Sequence, residues 1–221
     1  MMNEKRFTIK PQDDYWAVVD KMSKEKDWTG NEKSNFIING CSNHSKYERA
    51  VNDYYSTDPL AIDMLEKYGL LDKNVKYYEV ACGDGSLSKR LESYGYEVIS
   101  SDLVDRGYGT PNKDFLKDTE MKDGSIITNP PYKYLQDFIL KGIELANNKL
   151  YIFAKIQSLE GIKRYENIYS KRSPEKVCVF VKRINCYRNG DTTNYSSAVC
   201  YCWLIFDNKN PTDDTKLMWL I

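Results

Sequence analysis

The tetrapeptide Asn129-Pro130-Pro131-Tyr132 is the part of the sequence whose residue types most directly suggest chemistry. Two prolines fix φ and remove two N–H donors, so this loop is stiff and presents carbonyl acceptors. The Asn129 side-chain oxygen and the Pro130 carbonyl can accept the two N–H groups of an aromatic amine, whose delocalised lone pair otherwise makes it a poor nucleophile. Orienting that amine and stabilising its developing positive charge are recognised sources of catalysis. Tyr132 can stack on the ring, which contributes about 1–3 kcal/mol where bases stack on aromatic side chains.

A glycine-rich turn, Glu79-Val-Ala-Cys-Gly-Asp-Gly85, follows an apolar run and precedes a helical pattern. Glycine lets the backbone approach a ligand closely, and the start of the next helix offers unpaired N–H groups. The third glycine of the dinucleotide fingerprint is absent and no Gly-Lys-Ser/Thr follows, which disfavours a phosphate loop. Asp102, about twenty residues on, can accept hydrogen bonds from both ribose hydroxyls, and its alternative role is to cap the following turn. Asp114 and Phe115, at the end of a predicted third strand, could hold an adenine ring.

Hydrophobic periodicity indicates the elements that position these loops. It predicts strands at residues 77–81, 97–101, 125–128 and 150–154, and helices at 58–69, 86–94, 134–147 and 159–170. Residues 176–182 and 198–206 are β-rich and predict an antiparallel pair that closes the sheet. The strand–helix alternation predicts an α/β fold with a doubly wound, mostly parallel sheet. Such sheets bind ligands at the carboxyl ends of their strands, where both loops are placed.

Composition limits the remaining possibilities. Residues 1–44 are polar and irregular, so we treat them as an N-terminal extension of unknown role, with residues 45–221 forming the main domain. Lys plus Arg (32) equals Asp plus Glu (32), so a nucleic-acid partner would need a locally basic face. No apolar run approaches a membrane span, and the N-terminus lacks the apolar core of a signal peptide. Six cysteines without a CxxC pair, and a single histidine, His44, predict reduced thiols, no metal site and a cytoplasmic location.

Taken together, the motifs ACGDG (81–85), SDL (101–103), DFL (114–116) and NPPY (129–132) resemble the class I S-adenosylmethionine-dependent methyltransferases that modify amino groups, especially the DNA adenine-N6 enzymes. Upstream, NDYYSTDP (52–59) is similar to the family motif that touches the methionine part of the cofactor, although STDP stands where TPP is more common. Downstream, LEGIKRYE (159–166) and VFVKRI (179–184) resemble small phage and prophage adenine methyltransferases. The resemblance covers roughly residues 50–221.

The resemblance implies a Rossmann-like methyltransferase fold whose seven-stranded sheet has an antiparallel last strand, and S-adenosylmethionine as the cofactor. The methyl group would be transferred to adenine N6 in duplex or single-stranded DNA, on a flipped or unpaired base. The implied cofactor-binding residues are Tyr55, Thr57, Glu79, Ala81, Cys82, Gly83, Asp102, Leu103, Asp114, Phe115 and Asn129. The implied catalytic residues are Asn129, Pro130, Pro131 and Tyr132.

Contacts to the rest of a DNA target are predicted from charge. Between residues 149 and 188 the sequence has ten basic residues and only three acidic ones. Lys163, Arg164 and Arg183 are the predicted phosphate contacts, and such contacts would make binding salt-dependent. Tyr187 is a candidate second stacking partner for the target base. The alternative is a solvated surface that binds nothing.

Other substrates share the same chemistry. The tetrapeptide also occurs in enzymes that methylate adenine in structured RNA and glutamine amides in release factors, and a glutamine side chain presents the same planar NH2 group. Cytosine N4 is less favoured because that subgroup more often begins the motif with serine. A cofactor-binding module without catalysis is the remote alternative, which the intact Asn129 and Tyr132 disfavour. The target sequence and the oligomeric state stay open.

Overall fold

The computed structural model describes residues 55–188 and 199–221, so the predicted extension at residues 1–44 lies outside the described residues. The strands are β1 (Tyr55–Thr57), β2 (Tyr77–Glu79), β3 (Val98–Ser100), β4 (Ser125–Thr128), β5 (Lys149–Lys155), β6 (Lys176–Phe180), β7 (Cys186–Arg188), β8 (Tyr201–Asp207) and β9 (Lys216–Leu220). The main helices are α1 (Leu60–Lys67), α2 (Ser86–Ser93) and α3 (Leu135–Leu145).

Seven strands form one sheet in the order β3-β2-β4-β5-β8-β6-β9. Strands β3, β2, β4 and β5 are parallel neighbours, and β8 is antiparallel to both β5 and β6. The predicted α/β fold with a mostly parallel sheet is therefore confirmed, as is the antiparallel pair near the C-terminus. The antiparallel strand is the penultimate one, because β9 adds an outer strand that runs parallel to β6.

The central strands are buried along their length because they are apolar on both faces. Every residue of β8 is buried, as are the five inner residues of β5. Alternate residues of these strands belong to two hydrophobic clusters, with Phe153 and Trp203 in one and Ile152 and Leu204 in the other. Because side chains alternate across a strand, the two clusters are the cores on opposite faces of the sheet. Helices cover both faces, as a doubly wound fold requires.

Each face is covered by an amphipathic helix. On α1, Ala61 and Leu65 are fully buried, and the Ala61 carbonyl accepts a hydrogen bond of 3.0 Å from the Trp203 indole N–H. On α3, Gly142 lies so close to β5 that an added Cβ would be 2.5 Å from a methyl carbon of Leu150. These contacts fix the helices against the sheet and so hold the loops at its carboxyl edge.

Two local predictions differ from the structure. The predicted third strand before Asp114 is absent; residues 101–114 form a loop with one bridge, Ser101 to Thr110, followed by a 3-10 turn at Phe115–Lys117. Glycines at positive φ, including Gly107 and Gly109, prevent a regular strand there. The helix predicted at 159–170 is present only from residue 162 to 169, as a short α-helix (Ile162–Arg164) continued by a π-helix (Tyr165–Tyr169), and a 3-10 turn (Ile156–Leu159) precedes it.

Candidate active site

A cavity of about 660 Å³ lies at the edge of the sheet where β2, β3 and β4 end. It is lined by β1 and by residues 79–84, 86, 87, 102–104, 106, 113–117, 129–134 and 138. Parallel strands end at the same edge, which brings together loops that are distant in the sequence. The predicted catalytic and cofactor-binding residues all line this cavity: Tyr55, Thr57, Glu79, Ala81, Cys82, Gly83, Asp102, Leu103, Asp114, Phe115, Asn129, Pro130, Pro131 and Tyr132.

The glycine loop is held in a conformation that other residues rarely adopt. Gly83 and Gly85 have φ of 58° and 80°. A Cβ on Gly85 would also lie 2.3 Å from the Tyr108 ring, so this position tolerates no larger residue without rearrangement. The Cys82 N–H donates to the Ser101 carbonyl at 3.0 Å, which ties the loop to the end of β3. The backbone of this loop is therefore fixed against the cavity.

Glu79 caps the helix that follows the loop. Gly85 has no side chain to cap α2, and the buried carboxylate of Glu79 accepts hydrogen bonds from the Ser88 N–H at 3.0 Å and from the Ser88 hydroxyl. Burial raises the pKa of Glu79 from 4.5 to about 8, while the bonds from Ser88 act in the opposite direction. The contact of Glu79 with Ser88 positions the start of α2.

Asp102 caps the turn that follows it, which is one of its two suggested roles, and its contact with ribose stays a prediction. One carboxylate oxygen accepts the Gly83 N–H at 2.8 Å. The other accepts the Val104 N–H at 2.8 Å and one N–H of the Arg106 guanidinium at 3.0 Å. The side chains of Asp102 and Arg106 are only 11% and 17% exposed. Asp102 thus caps its own turn and also fixes the glycine loop, and its carboxylate lines the cavity.

Asp114 and Phe115, which are predicted to hold an adenine ring, both line the cavity. Asp114 accepts a hydrogen bond from the Leu116 N–H at 3.1 Å and forms an ion pair of 3.2 Å with Lys117. Phe115 is buried against Phe138, with ring centroids 5.2 Å apart. Leu103, by contrast, is 59% exposed and offers an apolar surface.

The side-chain amide of Asn129 is oriented by β1. Its nitrogen donates to the Thr57 hydroxyl at 2.8 Å and lies 3.4 Å from the Tyr55 carbonyl oxygen. Because a carbonyl oxygen only accepts, the group facing β1 must be the NH2 group. The remaining polar atom of the amide, Oδ1, is an acceptor, as binding of an amine requires.

Tyr132 is more enclosed than a freely exposed stacking residue. Its hydroxyl donates to the Cys186 thiol at 3.9 Å. The Lys155 ammonium lies 4.9 Å from its ring centroid, and the Tyr55 ring is 6.1 Å away. Burial, together with Cys186 and Tyr201 nearby, raises the pKa of Tyr132 well above its ordinary value. The phenol therefore stays protonated and does not act as a general base.

The predicted substrate contacts outside the tetrapeptide do not line the cavity. Tyr187 lies on β7, which pairs with β1, and its hydroxyl donates to Asp58 at 3.4 Å. Arg164 donates to the backbone carbonyls of Gln157 and Glu160, whereas Lys163 and Arg183 are exposed. The geometry thus gives Tyr187 a structural contact, and the phosphate contacts stay a prediction.

Within residues 55–188 and 199–221, no group of three His, Cys, Asp or Glu side chains could hold a metal ion. In the same ranges no helix combines the length and apolar character needed to cross a membrane. The cysteines of these ranges carry free thiols.

Comparison with known proteins identifies the fold of this chain. No protein-family model and no curated protein matches the sequence. A Listeria monocytogenes protein named as a class I S-adenosylmethionine-dependent methyltransferase is 18% identical with a TM-score of 0.54, over 85% of this chain and 71% of that one. The methyltransferase subunit of a type I restriction-modification system from Streptococcus thermophilus is 12% identical with a TM-score of 0.55, over 85% and 50%. A Vibrio vulnificus protein named as a modification subunit of a type I restriction enzyme is 12% identical with a TM-score of 0.50, over 92% and 50%.

The chain has the class I methyltransferase fold. It spans half the length of the two restriction subunits. Within this methyltransferase fold, further polar side chains line the cavity that sequence reasoning did not single out: Asp84, Ser86, Arg106, Lys133 and Tyr134. Asp84 accepts hydrogen bonds from the hydroxyls of Ser56 at 3.0 Å and Ser86 at 2.6 Å. The available signal was proximity in sequence, since each of these residues lies within four positions of a predicted site residue.

Proposed function

We propose that this protein transfers the methyl group of S-adenosylmethionine to the N6 amino group of adenine in DNA. The observation that carries the proposal is that Asn129, oriented by Thr57, lines one cavity with the glycine loop at Gly83. A methyl donor held by the glycine loop and a planar amine held by Asn129 would lie side by side in that cavity. Methyl transfer needs this arrangement of donor and acceptor.

The residues of the cavity suit S-adenosylmethionine. A volume of about 660 Å³ lies within the usual range for a cofactor of this size. The glycine loop and β1 would hold the methionine part, and Asp102 would accept hydrogen bonds from the ribose. Leu103 and Phe115 offer apolar surface for the adenine ring, with Asp114 at its edge. The bound cofactor supplies an electrophilic methyl group on a positively charged sulfur.

Asn129 and Pro130 would activate the amine. The Oδ1 atom of Asn129 and the Pro130 carbonyl accept its two N–H groups, which favours a pyramidal nitrogen with its lone pair directed at the methyl group. These acceptors also stabilise the positive charge that develops on nitrogen. Tyr132 contributes a protonated aromatic side chain to the same wall and holds the base by contact. After transfer, the cationic nitrogen loses a proton to water.

Adenine in DNA is the favoured substrate among those with a planar NH2 group. Two of the structures with the same fold are named as methyltransferase or modification subunits of type I restriction systems, which supports a DNA target. The NPPY motif and its ordered neighbours support the adenine-N6 group, including its small phage and prophage members. Adenine in RNA and a protein glutamine amide remain the alternatives, because Asn129 would bind their NH2 groups in the same way.

A DNA target would have to present an unpaired or flipped adenine, since N6 is engaged in base pairing within the duplex. The exposed side chains Lys163 and Arg183 would contact the phosphate backbone. Arg164, whose guanidinium is held by backbone carbonyls, would contribute mainly its charge. The free thiols fit a reducing compartment, and we place the protein in the cytoplasm.

The test is an assay of isotope transfer from methyl-labelled S-adenosylmethionine to duplex DNA, single-stranded DNA, RNA and a release factor. The proposal predicts label in DNA, and in adenine after hydrolysis to nucleosides. Label confined to RNA or to the release factor would replace DNA by one of the alternatives. Absence of label from all four substrates, with measurable cofactor binding, would favour the non-catalytic module.

A further inference from the structure

We propose that Lys133 and Tyr134 form a subsite for the nucleotide next to the target base, with its base stacked on Tyr134 and its phosphate bound by Lys133. The subsite rests on the proposed function, because it assumes that the ligand of the cavity is a nucleic acid strand. It would add a binding determinant that a protein glutamine amide cannot use.

Tyr134 is the exposed aromatic side chain at the cavity. It follows the catalytic tetrapeptide on the 3-10 turn Tyr132–Tyr134, lines the cavity and is 41% exposed. The ring of Tyr132 contacts Lys155 and Tyr55, and its hydroxyl is bound to Cys186. Of the two tyrosines on this turn, Tyr134 therefore has more ring surface to offer to a ligand. Single exposed aromatics are common on protein surfaces, so the position at the cavity and the neighbouring cation carry the argument.

The backbone holds Tyr134 at a fixed distance from the proposed amine site. The Tyr134 N–H donates to the Pro131 carbonyl at 2.8 Å, and α3 begins at the next residue, Leu135. Leu135 is buried, which anchors the start of the helix to the core. The backbone of a stacking platform on this turn would therefore be fixed, so binding would need little ordering of the loop.

Lys133 provides a positive charge beside that platform. Its ammonium lies 5.1 Å from the Tyr134 ring centroid, within the range of a cation–π contact, and the side chain is exposed and lines the cavity. The start of α3 has no side-chain cap, and its N–H groups favour an anion, although Asp137 in the first turn opposes this. A cation and an aromatic ring side by side match the phosphate and base of a single nucleotide.

This pairing selects for single-stranded nucleic acid and tolerates any base. Every base has a face that stacks on tyrosine, and a lysine binds phosphate as a point charge without reading sequence. A glutamine side chain brings the NH2 group but neither a phosphate nor an adjoining aromatic ring. The subsite would thus contribute affinity for a strand next to the methylated position without specifying its sequence.

The test measures binding of a fluorescein-labelled oligothymidylate with one central deoxyadenosine by fluorescence anisotropy, using the full chain with S-adenosylhomocysteine present. Tyr134→Ala should weaken binding by about 5- to 150-fold, the range of base–aromatic stacking, and Tyr134→Phe should restore it. Lys133→Gln should reduce the slope of log Kd against log salt by about 0.7, the value for one phosphate on a single strand. Lys209→Gln is the matched control. Lys209 is exposed and follows β8 at the end of the sheet that is opposite to the cavity.

The outcomes separate this subsite from the proposed function. Tyr134→Ala with wild-type affinity, or a Lys133→Gln slope equal to that of Lys209→Gln, would overturn the subsite even if the wild type methylates adenine. If the variants bind the oligonucleotide more weakly but the wild type forms no methyladenine, the subsite is supported and the proposed function is refuted. Thermal unfolding of each variant, monitored by circular dichroism, identifies any loss of affinity caused by misfolding. If Tyr134→Ala is misfolded, the affinity of Tyr134→Phe relative to the wild type tests the subsite.

Discussion

The amide nitrogen of Asn129 donates a hydrogen bond of 2.8 Å to the hydroxyl of Thr57, 72 residues earlier in the chain. The Tyr55 carbonyl, 3.4 Å from the same nitrogen, fixes which end of the amide faces β1. The acceptor oxygen of the proposed active site is therefore oriented by a strand that is remote in sequence. The family resemblance assigns Thr57 to the cofactor, whereas this contact assigns it to the orientation of Asn129.

Replacing Thr57 distinguishes these two roles. Thr57→Val keeps the shape but removes the hydroxyl acceptor, so the Asn129 amide is held only by its longer contact with the Tyr55 carbonyl. We expect kcat for methyl transfer to fall by about tenfold, the equivalent of one neutral hydrogen bond, with the Kd for cofactor within about twofold. Thr57→Ser should restore kcat. Calorimetric titration with S-adenosylhomocysteine and steady-state kinetics check both quantities. A loss of cofactor affinity with unchanged kcat would show that Thr57 binds the cofactor and does not orient Asn129.

Asp102 should affect both cofactor binding and the stability of the glycine loop. Asp102→Ala leaves the buried Gly83 N–H without its acceptor, which we expect to lower the free energy of unfolding by about 1–3 kcal/mol. Cofactor affinity should fall as well, because the ribose acceptor is lost. The control is Asp105→Ala, on the same loop, which removes an exposed carboxylate bonded to the Gly107 N–H. If Asp102→Ala destabilises the protein but leaves the Kd for cofactor unchanged, Asp102 is a turn cap alone.

The buried carboxyl of Glu79 predicts a pH dependence of stability. Burial raises its pKa in the folded protein to about 8, above the ordinary value of 4.5, so the folded state binds the proton more tightly than the unfolded state. Stability from this group is present in full below about pH 4.5 and is lost as pH rises toward 8, by at most about 1.4 kcal/mol per pH unit. Glu79→Gln, which cannot ionise, should lose less stability over this window.

Urea unfolding of the wild type and of Glu79→Gln at several pH values between 5 and 8 measures this difference. The two curves of unfolding free energy should diverge as pH rises, with the wild type falling faster. Parallel curves would show that Glu79 is ionised in the folded protein and that the hydrogen bonds from Ser88 outweigh its burial.

Alanine substitutions at two glycines with nearly the same φ distinguish the cost of backbone strain from the cost of a steric clash. Gly85 and Gly95 have φ of 80° and 84°, but an added Cβ meets the Tyr108 ring at 2.3 Å only at Gly85, and meets nothing within 4 Å at Gly95. Gly95→Ala should cost about 1–2 kcal/mol of stability, the penalty for a left-handed residue. Gly85→Ala should cost more and should also weaken cofactor binding. Equal costs, measured by urea unfolding, would mean that Tyr108 moves aside freely.

The cavity could be predicted from sequence because its main loops follow strands of one parallel sheet. Gly83 and Asn129 come after the apolar segments that form β2 and β4, which are neighbours in the sheet, so the loops had to meet. The contact between Thr57 and Asn129 could not be predicted in this way. It depends on β1, a three-residue strand that pairs with β7, and three residues carry no usable period.

The environment of Tyr132 was also beyond the sequence pattern. Its hydroxyl is held by Cys186, and its pKa is affected by Tyr201, and both residues come from the last third of the chain. Stacking on a target ring was predicted from residue type alone, and the enclosure of the ring depends on these long-range contacts. The loop at residues 103–113 was likewise mistaken for the approach to a strand, because its glycines and Asn112, at φ of 59°, set a conformation that composition only suggests.

The central claim is that Asn129 activates an adenine amine for methyl transfer, and nucleoside mass spectrometry tests it most directly. DNA is incubated with S-adenosylmethionine and either wild type or Asn129→Ala, then digested, and N6-methyldeoxyadenosine is quantified alongside the Kd for cofactor. We predict methyladenine from the wild type, a loss on the order of 100-fold or more in Asn129→Ala, and a Kd that changes by no more than about threefold. Near-wild-type yield from Asn129→Ala, or no methyladenine from the wild type, would contradict the account.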